Sequence, residues 1–180
     1  MAAQHTVFRL KHRNGFDGLY QQQENVPNVT KHEVLIRVRS VSLNFRDIAV
    51  ATSKYPFPVA ANVVPCSDMA GDIAEIGESV KELNVGDKVV ASFDITNLYG
   101  PQREWDNGQG GPIDGVLRQY VVLPASAIVK VPSDAPQTYS QWASVVCTGA
   151  TVWNALYGNI PLRPGQVVLC QGSDSLSPFH

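Results

Sequence analysis

Short runs of alternating apolar and polar residues between positions 32 and 93 predict a β-sheet domain. The clearest run is DIAEI at residues 72–76, and Gly71, Gly77 and Gly86 punctuate the neighbouring runs with turn signals. Residues 32–42 alternate in the same way. Because these runs are too short for helices, the pattern predicts a small closed or nearly closed β-structure.

The flanking segments extend this prediction in both directions. Residues 7–20 are typical of a first hairpin with Asn14-Gly15 as its turn, and the polar segment 21–31 is expected to cross the surface. Further strands are predicted at residues 71–76, at 88–93 and within 115–131.

Two helices are predicted. Residues 45–51 form a short helical turn after Asn44, a residue type that favours N-caps. Apolar residues at three- and four-residue spacing predict a longer helix over 140–157, with Ser140 as its N-cap and Gly158 as its end.

Two other segments do not alternate. Residues 94–115 are rich in glycine and proline and predict a long loop, which is typical of a disordered segment or of a lid over a substrate cleft. Residues 166–170 form a continuous apolar run, QVVLC, which favours a parallel strand buried on both faces.

Composition narrows the class of protein. The 180 residues carry a net charge of −2, with 44% hydrophobic and 17% charged residues, which favours one globular domain and gives no basic face for nucleic acid or an anionic membrane. No apolar run approaches a membrane span, and the first residues lack the apolar core of a signal peptide. Cys66, Cys147 and Cys170 are far apart and odd in number, so we expect reduced, mostly buried thiols in a cytoplasmic protein.

The motifs SLNFRD, SKYP, PCSDMAGDIAEIG, LNVGDKVVASF and GVLRQYVVLPASAIVKVP occur in this order over residues 42–132. This order resembles the N-terminal, GroES-like half of the medium-chain dehydrogenase/reductase superfamily, in its zinc-independent, quinone-oxidoreductase-like branch. The resemblance implies a mainly β (α+β) fold: a GroES-like barrel at residues 1–132, a connecting helix at 133–158, and the first strand of a truncated Rossmann domain at 159–180.

The same resemblance implies an NAD(P)H-dependent reductase of small quinones, enones or carbonyls, with NADPH or NADH as cofactor. It places Asn44 and Tyr55 at the acceptor, where an amide and a phenol can stabilise a developing oxyanion without a metal. It also places Asn44, Thr151 and Gly172 at the cofactor. The structural alternatives are a turn asparagine, a surface-capping tyrosine, and a threonine bonded to its own helix.

The resemblance also implies that zinc is lost. Asn44, Ser67 and Cys147 stand where zinc-containing relatives have their three catalytic ligands, and one cysteine does not hold Zn²⁺. Residues 94–115 contain no cysteine for a structural zinc. We therefore expect Cys147 to be a buried small residue, and Asp47 and Asp68 to cap turns or to pair with an arginine or a backbone amide.

The nucleotide-binding fingerprint fails after Gly172, because Asp174 and Ser175 stand where relatives have glycine. The sequence therefore suggests a truncated form, with little activity expected from the isolated chain. The alternative is a non-catalytic β-barrel remnant that binds a partner protein, and a homo- or hetero-oligomer with family members is possible under either interpretation.

Overall fold

The computed structural model describes residues 3–169. It contains two helices, α1 (Phe45–Ala51) and α2 (Tyr139–Tyr157), and the following seven strands. These are β1 (Gln4–Leu10), β2 (Leu19–Asn25), β3 (Glu33–Ser42), β4 (Asp68–Ile76), β5 (Lys88–Ala91), β6 (Tyr120–Pro124) and β7 (Ile128–Lys130). The mainly β class is confirmed.

A five-stranded antiparallel sheet, in the order β6-β3-β4-β5-β7, curves into a half-barrel, and β1 and β2 form a separate hairpin. The strands of this sheet supply most of the main core, in which Ile36, Met69, Ile73 and Val89 are almost fully buried. Burying each of these side chains contributes roughly 1.5–3 kcal/mol. Helix α2 packs against β3, β4 and β5, so the helix lies beside the central strands. Within residues 3–169, neither helix combines the length and apolarity needed to cross a bilayer.

Helix α1 has the predicted bounds, and Asn44 is its N-cap. The side chain of Asp47, three residues later, accepts a hydrogen bond from the Asn44 N–H at 2.8 Å. A carboxylate in the first turn satisfies a free backbone donor and also favours the positive end of the helix. The predicted capping role of Asp47 is therefore confirmed.

The N-terminal hairpin exists, but the prediction for its second strand is wrong. The polar residues 21–25 do not cross the surface as a loop; they belong to β2 and pair with β1 from Gln4↔Asn25 to Leu10↔Leu19. Their side chains alternate between more and less exposed positions. The strand therefore forms because of its backbone pairing with β1, and an apolar pattern could not reveal it.

Helix α2 begins earlier than predicted. Its N-cap is Thr138 instead of Ser140, because the Thr138 N–H donates to the Gln141 side chain at 2.9 Å in a capping box. The helix ends at Gly158, as predicted, and the Gly158 N–H donates to the Asn154 carbonyl at 3.1 Å.

The predicted buried strand at residues 166–170 is wrong over its described part. Residues 166–169 adopt no strand, and Val167 and Leu169 are 95% and 80% exposed. A buried parallel strand needs neighbouring strands on both sides, and residues 3–169 provide none next to this segment. Cys170 and Gly172 lie outside the described residues.

A buried histidine next to β6 makes stability sensitive to acid. His5 is 2% exposed, and its Nδ1 accepts the Tyr120 N–H at 3.1 Å. Burial, and then the positive charge of Arg118, lower the pKa of His5, which outweighs the opposing effect of Glu24. Because the folded state binds the proton more weakly than the unfolded state, stability is lost as the pH falls below about 6.5.

We expect urea unfolding of the wild type to show a lower free energy at about pH 5.5 than at about pH 7.5. His5→Asn keeps an acceptor without a proton to bind, so its stability should change less over this range. The pKa of Glu24, lowered to about 2 chiefly by its hydrogen bond from Arg9, matters only at more acidic pH. An equal slope in the variant would contradict the role of His5.

Candidate active site

An open cleft of about 880 Å³ lies between β5, the N-terminal end of α1, helix α2 and the loop at residues 94–115. We call it the central cleft. Its polar lining includes Asn44, Tyr55, Ser67, Cys147, Thr151 and Asn154, and its apolar wall includes Val90, Val129, Val145 and Trp142. The mixture of a large apolar surface and a few polar groups is typical of a small-molecule site.

Three of the four residues implied by the resemblance line the central cleft together. Asn44 lies at the start of α1, Tyr55 lies four residues after its end, and Thr151 lies on α2. The Thr151 hydroxyl donates to the Cys147 carbonyl at 2.9 Å, as in the structural alternative for this residue. The fourth residue, Gly172, lies outside the described residues.

The three positions that the resemblance matches to zinc ligands also lie on this cleft, namely Asn44, Ser67 and Cys147. Ser67 donates its hydroxyl proton to Asp68 Oδ1 at 2.7 Å, and Asp68 Oδ2 accepts the Cys147 N–H at 2.9 Å. Asp68 is 1% exposed, so its carboxylate connects β4 to α2 within the core. This confirms the prediction that Asp68 pairs with a backbone amide.

The prediction that Cys147 is buried is wrong, because its side chain is exposed at the cleft wall. Helix α2 turns this position toward the open cleft, and helical spacing alone did not show which face would be covered. Partial desolvation of the sulfur, and then the negative charge of Asp68, raise the pKa of the thiol. Cys66, by contrast, is buried, and burial raises the pKa of its thiol strongly.

Across residues 3–169, no three His, Cys, Asp or Glu side chains are grouped so that they could hold a metal ion. Asp47, the carboxylate next to the cleft on α1, is committed to the Asn44 N–H. Burial raises the pKa of Asp47, against the lowering effect of that hydrogen bond.

Aromatic side chains of Tyr55, Phe93 and Trp105 line one part of the central cleft, and the sequence analysis singled out only Tyr55 among them. Tyr55 meets Phe57 edge-on at 5.5 Å between ring centres, and Phe57 stacks on Trp105 at 4.5 Å with 13° between the ring planes. The guanidinium carbon of Arg46 lies 4.7 Å from the ring centres of both Tyr55 and Phe93. The signal that could have identified Trp105 is a large aromatic residue in an otherwise glycine-rich loop.

The loop at residues 94–115 is irregular, as predicted, but it is held by defined contacts. Asp94 accepts the backbone N–H groups of Thr96 and Asn97 at 2.8 and 3.0 Å, and the Gln102 side chain at 2.7 Å. Burial is the largest single effect on the pKa of Asp94 and raises it, but the hydrogen bonds together outweigh burial and lower the pKa. Gln109 is fully buried and donates to the Ser92 carbonyl at 2.9 Å.

Comparison with known proteins identifies the family and the fold. The family model of the alcohol dehydrogenase GroES-like domain matches residues 30–133. The chain belongs to the medium-chain dehydrogenase/reductase superfamily. The match spans the sheet from just before β3 to just after β7, together with the cleft residues on α1 and on the loop.

Two curated superfamily members illustrate the similarity. The chain is 36% identical over 171 residues to a zinc-type alcohol dehydrogenase-like protein of Schizosaccharomyces pombe, covering 92% of this chain and 49% of that protein. It is 29% identical to a quinone oxidoreductase-like protein 2 homolog of Nematostella vectensis, covering 79% of this chain and 33% of that protein. The chain thus spans half or less of the length of these relatives.

Solved superfamily structures agree with the fold. A crystal structure described as an alcohol dehydrogenase from Sinorhizobium meliloti superimposes with a TM-score of 0.77 at 30% identity, covering 87% of this chain and 46% of that one. A quinone oxidoreductase from Pseudomonas syringae gives a TM-score of 0.70 at 20% identity, covering 89% of this chain and 43% of that one. At this identity the similarity supports the fold and nothing further. The predicted GroES-like fold is therefore confirmed.

Proposed function

We propose that this chain is the acceptor-binding half of an NAD(P)H-dependent, zinc-independent oxidoreductase that reduces quinones, enones or related carbonyl compounds. The supporting observation is that Asn44, Tyr55 and Thr151, which come from three separate segments, line one largely apolar cleft. Relatives described as an alcohol dehydrogenase-like protein, a quinone oxidoreductase-like protein and an acryloyl-coenzyme A reductase support the reaction class. A cytoplasmic location, the division at residue 132 and oligomerisation stay predictions.

Zinc independence is proposed from the chemistry of the donor set. Asn44 and Ser67 offer an amide and a hydroxyl, and the Ser67 hydroxyl is already donated to Asp68. Only Cys147 could become a thiolate, and its raised pKa opposes that. Catalytic zinc takes three protein ligands, most often Cys, His, Asp or Glu, so this set does not fit the metal.

The residues present do fit a nicotinamide. The Asn44 side chain has both a donor and an acceptor, which complements the carboxamide of the nicotinamide ring, and Thr151 lies on the same cleft wall. When bound, the reduced nicotinamide supplies the hydride. Tyr55 and Asn44 then donate hydrogen bonds to the acceptor oxygen, which gains negative charge as the hydride arrives at carbon. The apolar wall excludes water from the reacting groups.

The proposal is tested with a chimera that joins residues 1–158 to the C-terminal half of the Schizosaccharomyces pombe relative. We expect NADPH- or NADH-dependent reduction of menadione that persists after treatment with a zinc chelator. The polypeptide of 180 residues alone should bind menadione, seen by quenching of tryptophan fluorescence, with little turnover. If neither protein bound menadione or turned it over, the proposal would be rejected in favour of the alternative, a non-catalytic β-barrel remnant that binds a partner protein.

A further inference from the structure

A half-buried, positively charged side chain on the lining of the central cleft, that of Arg46, has no carboxylate partner among residues 3–169. Arg46 Nη1 donates to the Gln109 carbonyl at 2.8 Å, whereas Nε and Nη2 are buried without a hydrogen-bond partner among residues 3–169. Buried guanidinium donors are normally paired, and an unpaired one calls for an explanation.

Two carboxylates near the cleft, those of Asp47 and Asp68, have other hydrogen-bond partners. Asp47 accepts the Asn44 N–H, and Asp68 accepts the Ser67 hydroxyl and the Cys147 N–H. The ion pairs within the described part of the chain do not include Arg46. A guanidinium carries a permanent charge, so positive potential extends from Arg46 toward its neighbours.

Two aromatic neighbours of Arg46, Tyr55 and Phe93, line the cleft with it, and of these only Tyr55 carries a hydroxyl. The Arg46 guanidinium carbon lies 4.7 Å from the centre of the Tyr55 ring and 4.7 Å from that of Phe93. The backbone of the loop closes the third side, because a Cβ on Gly111 would lie 2.5 Å from Arg46 Nη2 and 3.7 Å from Tyr55 Cε1. The guanidinium therefore packs against the Tyr55 ring, with Nε and Nη2 buried while the residue contributes to the cleft lining.

We propose that Arg46 is a positioning residue for the acceptor oxygen: it holds the Tyr55 ring by a cation–π contact and places a fixed positive charge behind the phenol. This inference rests on the proposed function. In that reaction the hydride of the reduced nicotinamide bonds to carbon and the π electrons of the acceptor move to oxygen. That oxygen later takes a proton from water, while the nicotinamide is oxidised. Arg46 stabilises the intermediate anion through Tyr55.

The test uses para-nitrophenol, whose phenolate mimics an enolate oxygen on a planar ring and absorbs visible light. It is titrated into the 180-residue chain at one pH below and one pH above the pKa of para-nitrophenol. The affinities of the neutral phenol and of the phenolate are thus measured separately. Against Arg46→Met, the wild type should bind the phenolate about 10-fold more tightly and the neutral phenol equally well. Arg46→Lys, which keeps the charge, should recover most of the phenolate affinity.

Lys54→Met is the matched control. Lys54 is exposed next to Tyr55 and does not line the cleft, so removing its charge should leave phenolate affinity unchanged. Three results would overturn the inference. The first is that the wild type does not bind the phenolate, and the second is that the wild type and Arg46→Met bind it with equal affinity. The third is that Arg46→Met and Arg46→Lys lose affinity equally, for the phenolate and for the neutral phenol alike. The last result would indicate a purely structural role.

The binding experiment is independent of turnover. Preferential phenolate binding by the chain, together with an inactive chimera, would reject the proposed reaction and retain the electrostatic role of Arg46. If the chimera is active but the 180-residue chain does not prefer the phenolate, the proposed reaction is retained and the role of Arg46 is rejected.

Discussion

Replacement of Gly115 by alanine is expected to lower the free energy of unfolding by roughly 3 kcal/mol or more. A Cβ at this position would lie 1.9 Å from the Cys66 carbonyl oxygen and 2.7 Å from both the Pro65 carbonyl oxygen and the Gly110 Cα. All three are backbone atoms, so no side chain can rotate away. The Gly115 N–H also donates to the Val64 carbonyl at 2.6 Å, which keeps the two segments together.

Urea unfolding followed by circular dichroism measures this effect, with Gly86→Ala as the control. Gly86 has φ of +90°, and a Cβ at this position would meet no atom within 4 Å. Alanine there is therefore unfavourable only through its backbone conformation, by about 1–2 kcal/mol. The two variants thus separate steric from conformational cost. A smaller loss in Gly115→Ala than in Gly86→Ala would show that the backbone near Cys66 yields.

Elements with local signals could be predicted, and elements that depend on distant partners could not. Helix α1 begins directly after Asn44 and α2 ends directly before Gly158, so both boundaries are encoded within a few residues. Strand β2 is polar and exists through its pairing with β1, which no local pattern reveals. The apolar run at residues 166–169 had the opposite outcome, because apolar residues form a buried strand only where other strands pair with it and helices cover its faces.

For the candidate site, the resemblance pointed to residues, and the structure supplied their surroundings. Asn44, Tyr55 and Thr151 could be selected from motifs, and they line one cleft. The exposure of Cys147 could not be predicted, because it depends on how α2 is rotated against the sheet. Nor could the contact of Arg46 with the Tyr55 ring, since it depends on how the loop at residues 94–115 folds back over α1.

Tyr55→Phe in the chimera is expected to lower kcat for menadione about 100-fold, with KM little changed. The substitution removes the hydroxyl that would donate to the acceptor oxygen, and it retains the ring that contacts Arg46 and Phe57. Because the lost hydrogen bond strengthens only as negative charge develops on the acceptor, the transition state should be affected far more than substrate binding. Steady-state kinetics at saturating NADPH measures this difference.

Tyr99→Phe is the matched control, because Tyr99 is 90% exposed, lies on the loop at residues 94–115 and does not line the central cleft. Its kcat should equal that of the unmodified chimera. Arg46→Met should also lower kcat, and the double variant with Tyr55→Phe should lose less than the product of the two single effects, because Arg46 acts through the phenol. Unchanged turnover in Tyr55→Phe would place the hydrogen-bond donor to the acceptor oxygen elsewhere in the cleft. Fully multiplicative losses would mean that Arg46 and Tyr55 act independently.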